Sequence, residues 1–232
     1  AEYVKVKYTH VYKIPDNVRF EHAAMTEPLA CASNAVKRLD IHLGQDVVVF
    51  GPGPIGLMMV QLAKASGAGR VVLIGRRDYP LKVGGKAGAD VLINTADVKS
   101  EYYAADVAQA VKKALGHLAP RAIVATSNME ALQGALLVTG PASTIVYFGL
   151  PGPGDKLEVP MLEAIQSERT FKCAWLAPLV WDNTFAAMGT GKVDLSPILT
   201  HTFTLEEAEK GIRFMKESKE NKLKAVILVG QG

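Results

Sequence analysis

Asp46-Val47-Val48-Val49-Phe50-Gly51-Pro52-Gly53-Pro54-Ile55-Gly56, followed at once by LMMVQLAKASG (57–67), decides how this chain folds. A short run of β-branched and aromatic apolar residues bounded by glycine reads as a buried strand, and the segment after it repeats apolar residues at helical spacing. Between them stands Gly51-x-Gly53-x-x-Gly56. Alone, such a pattern is weak. Between a strand and a helix each glycine acquires a mechanical duty: Gly51 permits the tight turn, Gly53 lets a pyrophosphate approach the backbone, and Gly56 lets the helix sit close to the strand. Pro54 and Ile55 open that helix and belong to the same cradle, where free amides and the positive helix end face an anion. The plain alternative is a tight turn that holds nothing.

Outward from this stretch the pattern repeats. Val- and Ile-rich runs at 46–50, 70–74, 90–94, 122–126 and 144–149 alternate with helical spacing at 55–67, 80–88, 102–116 and 129–138. In the third crossover Val107, Ala110, Val111 and Leu115 share one face and Lys112 and Lys113 point away. This alternation predicts an α/β fold, a doubly wound parallel sheet of the Rossmann type. The Gly- and Pro-rich LPGPGD (150–155) closes it. Further on, Thr204 with Glu207 three residues later forms a capping box before an amphipathic helix, and the chain ends on the strand-like LKAVILVG (223–230). This tail is read as standing outside the alternating pattern, in a second domain. At the other end, AEYVKVKYTHVYKIP (1–15) reads as a strand emerging from something already folded, so polypeptide is expected before Ala1.

Composition narrows the function classes. With 232 residues, 49% hydrophobic and 21% charged, the chain can bury a core of its own. Its net charge of +3 is spread along the sequence, so no nucleic-acid partner is expected. No apolar stretch approaches the roughly 18 residues of a membrane span and none resembles a signal peptide, so neither a membrane nor an export route is expected. Cys31 and Cys173 lie far apart without metal-type spacing, which argues for a reducing, cytoplasmic setting. His10, His22, His42, His117 and His201 also lack ligand spacing and read as structural or surface residues.

The second strand runs into Gly75-Arg76-Arg77, where NAD-specific proteins place an acid on the ribose hydroxyls. Without that acid, and with two permanently charged planar donors in its place, a 2′-phosphate is favoured, hence NADP(H) over NAD(H). Asp78 stands three residues beyond the usual acid. The alternative, in which Asp78 takes the ribose and the arginines are solvated, stays open at this point.

The segments YKIPDNVRFEHAAMTEPLACASNAV (12–36), VVVFGPGPIGLMMVQLAKASGA (47–68), KAGADVLIN (86–94) and GKVDLSPILTHTFTLEEAEKGI (191–212) together resemble the medium-chain dehydrogenase/reductase superfamily. More narrowly, they resemble its zinc-dependent sorbitol or polyol dehydrogenase branch. The resemblance implies three pieces. Residues 1–38 would end a GroES-like catalytic domain with a connecting helix, 39–178 would be the dinucleotide-binding domain, and 179–232 would return to the catalytic domain. It implies hydride transfer between NADP(H) and a secondary alcohol or polyol and its ketone, assisted by zinc. Glu27 would stand beside the metal as a ligand or proton relay, with the other ligands preceding Ala1, so the chain alone would be inactive. On residues alone Glu27 reads as a helix-end acid, and only the resemblance raises the metal reading to equal standing.

The same resemblance places Thr126 near the cofactor, Phe148, Gly149 and Leu150 against the nicotinamide amide, and Lys224 at the pyrophosphate, while a solvated strand-end lysine is an equal reading of Lys224. Asn128 departs from the small residue that the family has after the fourth strand. Cys31 reads either as a buried thiol or as lining the nicotinamide side of the cleft. Subunits would pair as a homodimer or homotetramer through the sheet edge at TFKCAWL (170–176). Two alternatives remain: a zinc-free quinone or enoyl reductase of the same superfamily, against which EPLACASNAV (27–36) speaks, and a non-catalytic NADP-binding module.

Overall fold

The computed structural model describes residues 3–230. Six strands form one sheet: β1 (Val47–Phe50), β2 (Val71–Gly75), β3 (Val91–Asn94), β4 (Ala119–Val124), β5 (Thr139–Tyr147) and β6 (Thr170–Cys173). Their spatial order is β3-β2-β1-β4-β5-β6, with every pairing parallel. This is the doubly wound order in which the chain reverses direction between β1 and β4, opening a crevice at the strands' carboxyl ends.

Side-chain alternation explains why helices cover both faces. Val47, Val49, Leu73, Ile123 and Val146 point to one core, and Val48, Phe50, Val72, Ile74, Val124 and Ile145 point to the other. On the first side pack α2 (Thr26–Leu39), α3 (Pro54–Ala65) and α4 (Asp78–Lys86). On the second pack α5 (Val107–Leu115) and α6 (Met129–Val138). In α3, Leu57, Met58, Met59 and Val60 are fully buried. At about 1.5–3 kcal/mol for each such side chain, packing fixes this helix far more firmly than its own propensity would. The remaining helices are α1 (Phe20–Ala23), α7 (Met161–Gln166), α8 (Trp181–Gly189) and α9 (Ala208–Glu217). Among the described residues, no helix is long and apolar enough to cross a membrane.

Three expectations are corrected. The strand expected over 1–15 is not there in its described part, which begins at Tyr3. Tyr3, Val4 and Val6 are exposed coil and Tyr8–His10 a 3₁₀ turn, because no strand of the sheet runs alongside them to supply a ladder. The third crossover helix starts at Val107 rather than 102. The side chain of Asp106 accepts the Gln109 N–H at 2.9 Å and caps the helix there, while Ala104 N–H returns to Asn94 O at 3.0 Å. β4 and β5 begin earlier than their apolar runs, pairing Ala119 with Thr139 across a register shift. The tail lies outside the six-stranded sheet. β7 (Leu199–Thr204), α9 and β8 (Lys224–Leu228) make a parallel β-α-β unit with its own two-stranded sheet, and Leu223 and Val226 join the first core.

The capping box forms between β7 and α9. Glu207 N–H donates to Thr204 Oγ1 and Thr204 N–H to Glu207 Oε2, both at 3.4 Å.

Candidate functional site

A cavity of about 420 Å³ opens at the carboxyl ends of β1, β2 and β4, at the point where the strand order reverses. The glycine turn forms one wall. Gly51 has φ +96°, a left-handed conformation that a side chain would strain, and the N–H of Gly51 donates to Ile74 O at 2.9 Å. A Cβ on Gly56 would collide with the Gly51 carbonyl oxygen, so only glycine lets α3 start this close to the strand. Gly53 differs. Its backbone is ordinary extended chain and a Cβ there would meet nothing within 4 Å, because the residue faces the cavity.

No side chain caps α3, and Pro54 occupies its first turn. The first bond of the helix ladder is Leu57 N–H to Gly53 O at 2.9 Å, which leaves the amides of Ile55 and Gly56 ahead of it. Such an opening is a ready anion site.

Across the cavity stand Gly75, Arg76 and Arg77. Both guanidinium side chains are exposed, and the arginine ion pairs among the described residues fall at Arg19, Arg70, Arg169 and Arg213 instead. Asp78 does not line the cavity. Its Oδ1 accepts Asn94 Nδ2–H at 2.7 Å and Ser100 Oγ–H at 2.6 Å, bonds that hold its carboxyl below the usual range, the serine contributing most.

Thr126 lines the cavity. Asn128, where the sequence departs from the family's small residue, acts on the backbone here, since its Oδ1 accepts Ala131 N–H at 2.9 Å and caps α6. Phe148, Gly149 and Leu150 do not line the cavity, although the amides of Phe148 and Gly149 both reach Val124 O at 3.0 Å and Gly149 packs against the Thr126 carbonyl. Lys224 begins β8, where its carbonyl accepts Thr200 Oγ1–H at 3.1 Å, and it too lies off the cavity lining. The sequence reading missed Pro80, Thr95, Val107, Glu130 and Ala131, which line the same space. The signal for them is positional: each follows the carboxyl end of a parallel strand, where ligand sites of such sheets gather.

Glu27 is exposed in the first turn of α2, and its Oε1 accepts the Cys31 thiol at 3.3 Å. Burial first, then the adjacent carboxylate, pushes the Cys31 thiol up to about 11, so it is a neutral donor at ordinary pH. Among the described residues no three His, Cys, Asp or Glu side chains converge as a metal site.

Fold and site together define a doubly wound α/β protein with an anion-ready cavity over a glycine turn. The zinc-binding dehydrogenase family pattern matches residues 54–189. Sorbitol dehydrogenase of sheep, Ovis aries, is 31% identical over 206 residues, covering 89% of this chain and 56% of that protein. The chain thus spans little more than half the length of that relative. Among solved structures, the short chain alcohol dehydrogenase of E. coli CFT073 complexed with NADH superposes at a TM-score of 0.83, with 24% identity over 95% of this chain and 63% of that one. A Sinorhizobium meliloti 1021 dehydrogenase bound to NADP superposes at 0.80, with 23% identity over 94% of this chain and 62% of that one. The chain belongs to the zinc-binding dehydrogenase family, within the medium-chain dehydrogenase/reductase superfamily.

Proposed function

We propose that this chain binds NADP(H) in the cavity over the glycine turn and serves hydride transfer between that cofactor and a secondary alcohol or polyol and its ketone. One observation carries the cofactor half. Arg76 and Arg77 reach the cavity without an ion-pair partner among the described residues, while the nearby acid, Asp78, is bonded away from it. A diphosphate would lie across the amides of α3, the adenosine between Pro80, Val107 and Ala131, and a 2′-phosphate against the guanidinium pair. The alcohol half rests on the family and on the sheep sorbitol dehydrogenase relative. The chain's own share of the chemistry is to bind and orient the dinucleotide, which decides how near its reactive carbon comes to a carbinol hydrogen.

Zinc enters this reading through the family, with Glu27 as its proposed contact. Glu27 and Cys31 give the described residues two donors at one place, fewer than the three protein ligands a catalytic zinc takes, so no step through a metal is derived from them. Phe148, Gly149, Leu150 and Lys224 are proposed as further cofactor contacts reached once the dinucleotide is in place. Pairing of subunits is proposed through β6, one edge strand of the sheet, where Phe171 is exposed and beyond whose end Trp175 and Leu176 are exposed too. A cytoplasmic setting and the division at 38/39 and 178/179 belong to the same reading.

The test is to compare the chain with its Arg76→Ala/Arg77→Ala variant by titration with NADP+ and NAD+. Charge-assisted bonds contribute about 1.5–3 kcal/mol each, and exposure puts these at the low end, so NADP+ should weaken roughly tenfold to hundredfold with NAD+ nearly unchanged. An equal effect on both cofactors would refute the selection of NADP(H).

A further inference from the structure

Beside the arginines lies a polar network that neither the sheet nor the glycine turn requires. Asp78 follows Arg77 directly and opens α4. A carboxylate in an Arg-Arg-Asp turn would ordinarily swing back onto a neighbouring guanidinium, the nearest opposite charge. Here it is turned the other way. Asn94 is fully buried, and its Oδ1 accepts the backbone N–H groups of Ala96 at 2.9 Å and Asp97 at 3.0 Å. With the oxygen engaged, its amide nitrogen has to face Asp78, to which it donates at 2.7 Å. Ser100 is similarly committed: its oxygen accepts Tyr102 N–H at 3.0 Å, leaving its proton for Asp78 at 2.6 Å. Asn94 ends β3 and Ser100 lies in the loop that follows, which is itself tied down by Thr95 N–H to Gly75 O at 2.9 Å.

We propose that Asn94 and Ser100 are positioning residues for cofactor selection: by clamping Asp78 toward the loop after β3 they keep Arg76 and Arg77 unpaired and keep a carboxylate out of the space a ribose 2′-phosphate would fill. This rests on the NADP(H) reading above. A released Asp78 would do two things, both against NADP(H). It would neutralise a guanidinium by pairing with it, and it would repel a phosphate dianion while offering an acceptor to unphosphorylated ribose hydroxyls. Selection is thus written twice at this rim, once in the charges that attract and once in the side chains that withhold the opposing charge.

Ser100→Ala tests the clamp, since it removes one bond at a partly exposed position and leaves the buried Asn94 in place. Titrated beside the parent chain, it should bind NADP+ about threefold to tenfold more weakly with NAD+ unchanged or tighter. Ser100→Thr, which keeps the hydroxyl, should retain the parent ratio. In the Asp78→Ala/Ser100→Ala double variant the ratio should return toward that of the parent, because no carboxylate is left to release. A purely structural role for Ser100 would weaken both cofactors alike and would not be rescued by removing Asp78. That result, or an unmoved NADP+/NAD+ ratio in Ser100→Ala, overturns the proposal. The Arg76→Ala/Arg77→Ala variant run in parallel separates the two claims. If it loses NADP+ preference while Ser100→Ala does not, the clamp fails alone; if it too is unmoved, the NADP(H) reading fails with it.

Discussion

Gly53→Ala and Gly56→Ala add the same methyl group on two sides of one turn, and their surroundings call for opposite failures. At Gly56 the new Cβ would press on the Gly51 carbonyl oxygen and carbon, both backbone atoms that cannot rotate aside. Nor can α3 retreat, because Leu57, Met58, Met59 and Val60 are fully buried against the sheet. Overpacking of this kind costs about 1–3 kcal/mol, and a rigid backbone opponent puts Gly56→Ala in the upper half of that range. For a chain of this size each kcal/mol moves Tm by about 2–4 °C, so a fall of roughly 4–12 °C is expected. At Gly53 the backbone conformation suits any residue and the methyl meets no atom within 4 Å. Stability there should hold, or rise by up to about 1 kcal/mol as the unfolded chain loses freedom. The methyl projects into the cavity where the proposed cofactor's pyrophosphate would lie, so NADP+ affinity should fall at least tenfold. Thermal melts with and without NADP+ read both effects. A Gly53→Ala chain that binds as the parent does, or a Gly56→Ala chain that melts with it, would refute the cradle geometry.

Three further outcomes follow from other parts of the fold. Burial raises the Cys31 thiol to about 11 and the Tyr147 hydroxyl to about 12, whereas unfolded thiols and phenols ionise near roughly 8.5 and 10. Stability contributed by these protonated groups is therefore whole below the unfolded values and is lost as pH climbs through about 9–11 for Cys31 and 10–12 for Tyr147; Tyr147→Phe should flatten the second fall in urea midpoints, and an identical profile would contradict it. Asp46 is buried and pairs with Arg70 at 2.8 Å and His117 at 3.2 Å while accepting Arg70 N–H at 2.7 Å, so Asp46→Ala should cost about 2–3 kcal/mol by urea denaturation, and a loss under 1 kcal/mol would show the pairing to be incidental. If β6 joins subunits, Trp175→Glu should lower the light-scattering mass to that of a single chain, whereas an unaltered oligomer would place the interface elsewhere.

The parallel sheet was legible because β1 and β2 are buried along their whole length, so each appears as an unbroken apolar run between glycines. The glycine turn was legible because backbone sterics restrict Gly51 and Gly56 to one residue type. What escaped was decided by non-local contacts. Thr139–Ser143 contains Gly140 and Pro141 and a left-handed Ala142, a poor strand by composition, yet β4 supplies pairing partners to either side of the shift. In the tail the helix and the closing strand were legible, whereas β7 was hidden because it is half-exposed and pairs only with β8. At the site, Arg76 and Arg77 could be named from their place after β2. That Asp78 faces away from them depends on Asn94 and Ser100, brought close by the crossover and not by sequence spacing.

Isothermal titration of the folded chain with NADP+ and NAD+ at one ionic strength tests the central claim most directly. Saturable heat with NADP+ near one site per chain, and at least tenfold weaker binding of NAD+, is the predicted result. No heat with either dinucleotide, from material that melts cooperatively, would contradict it.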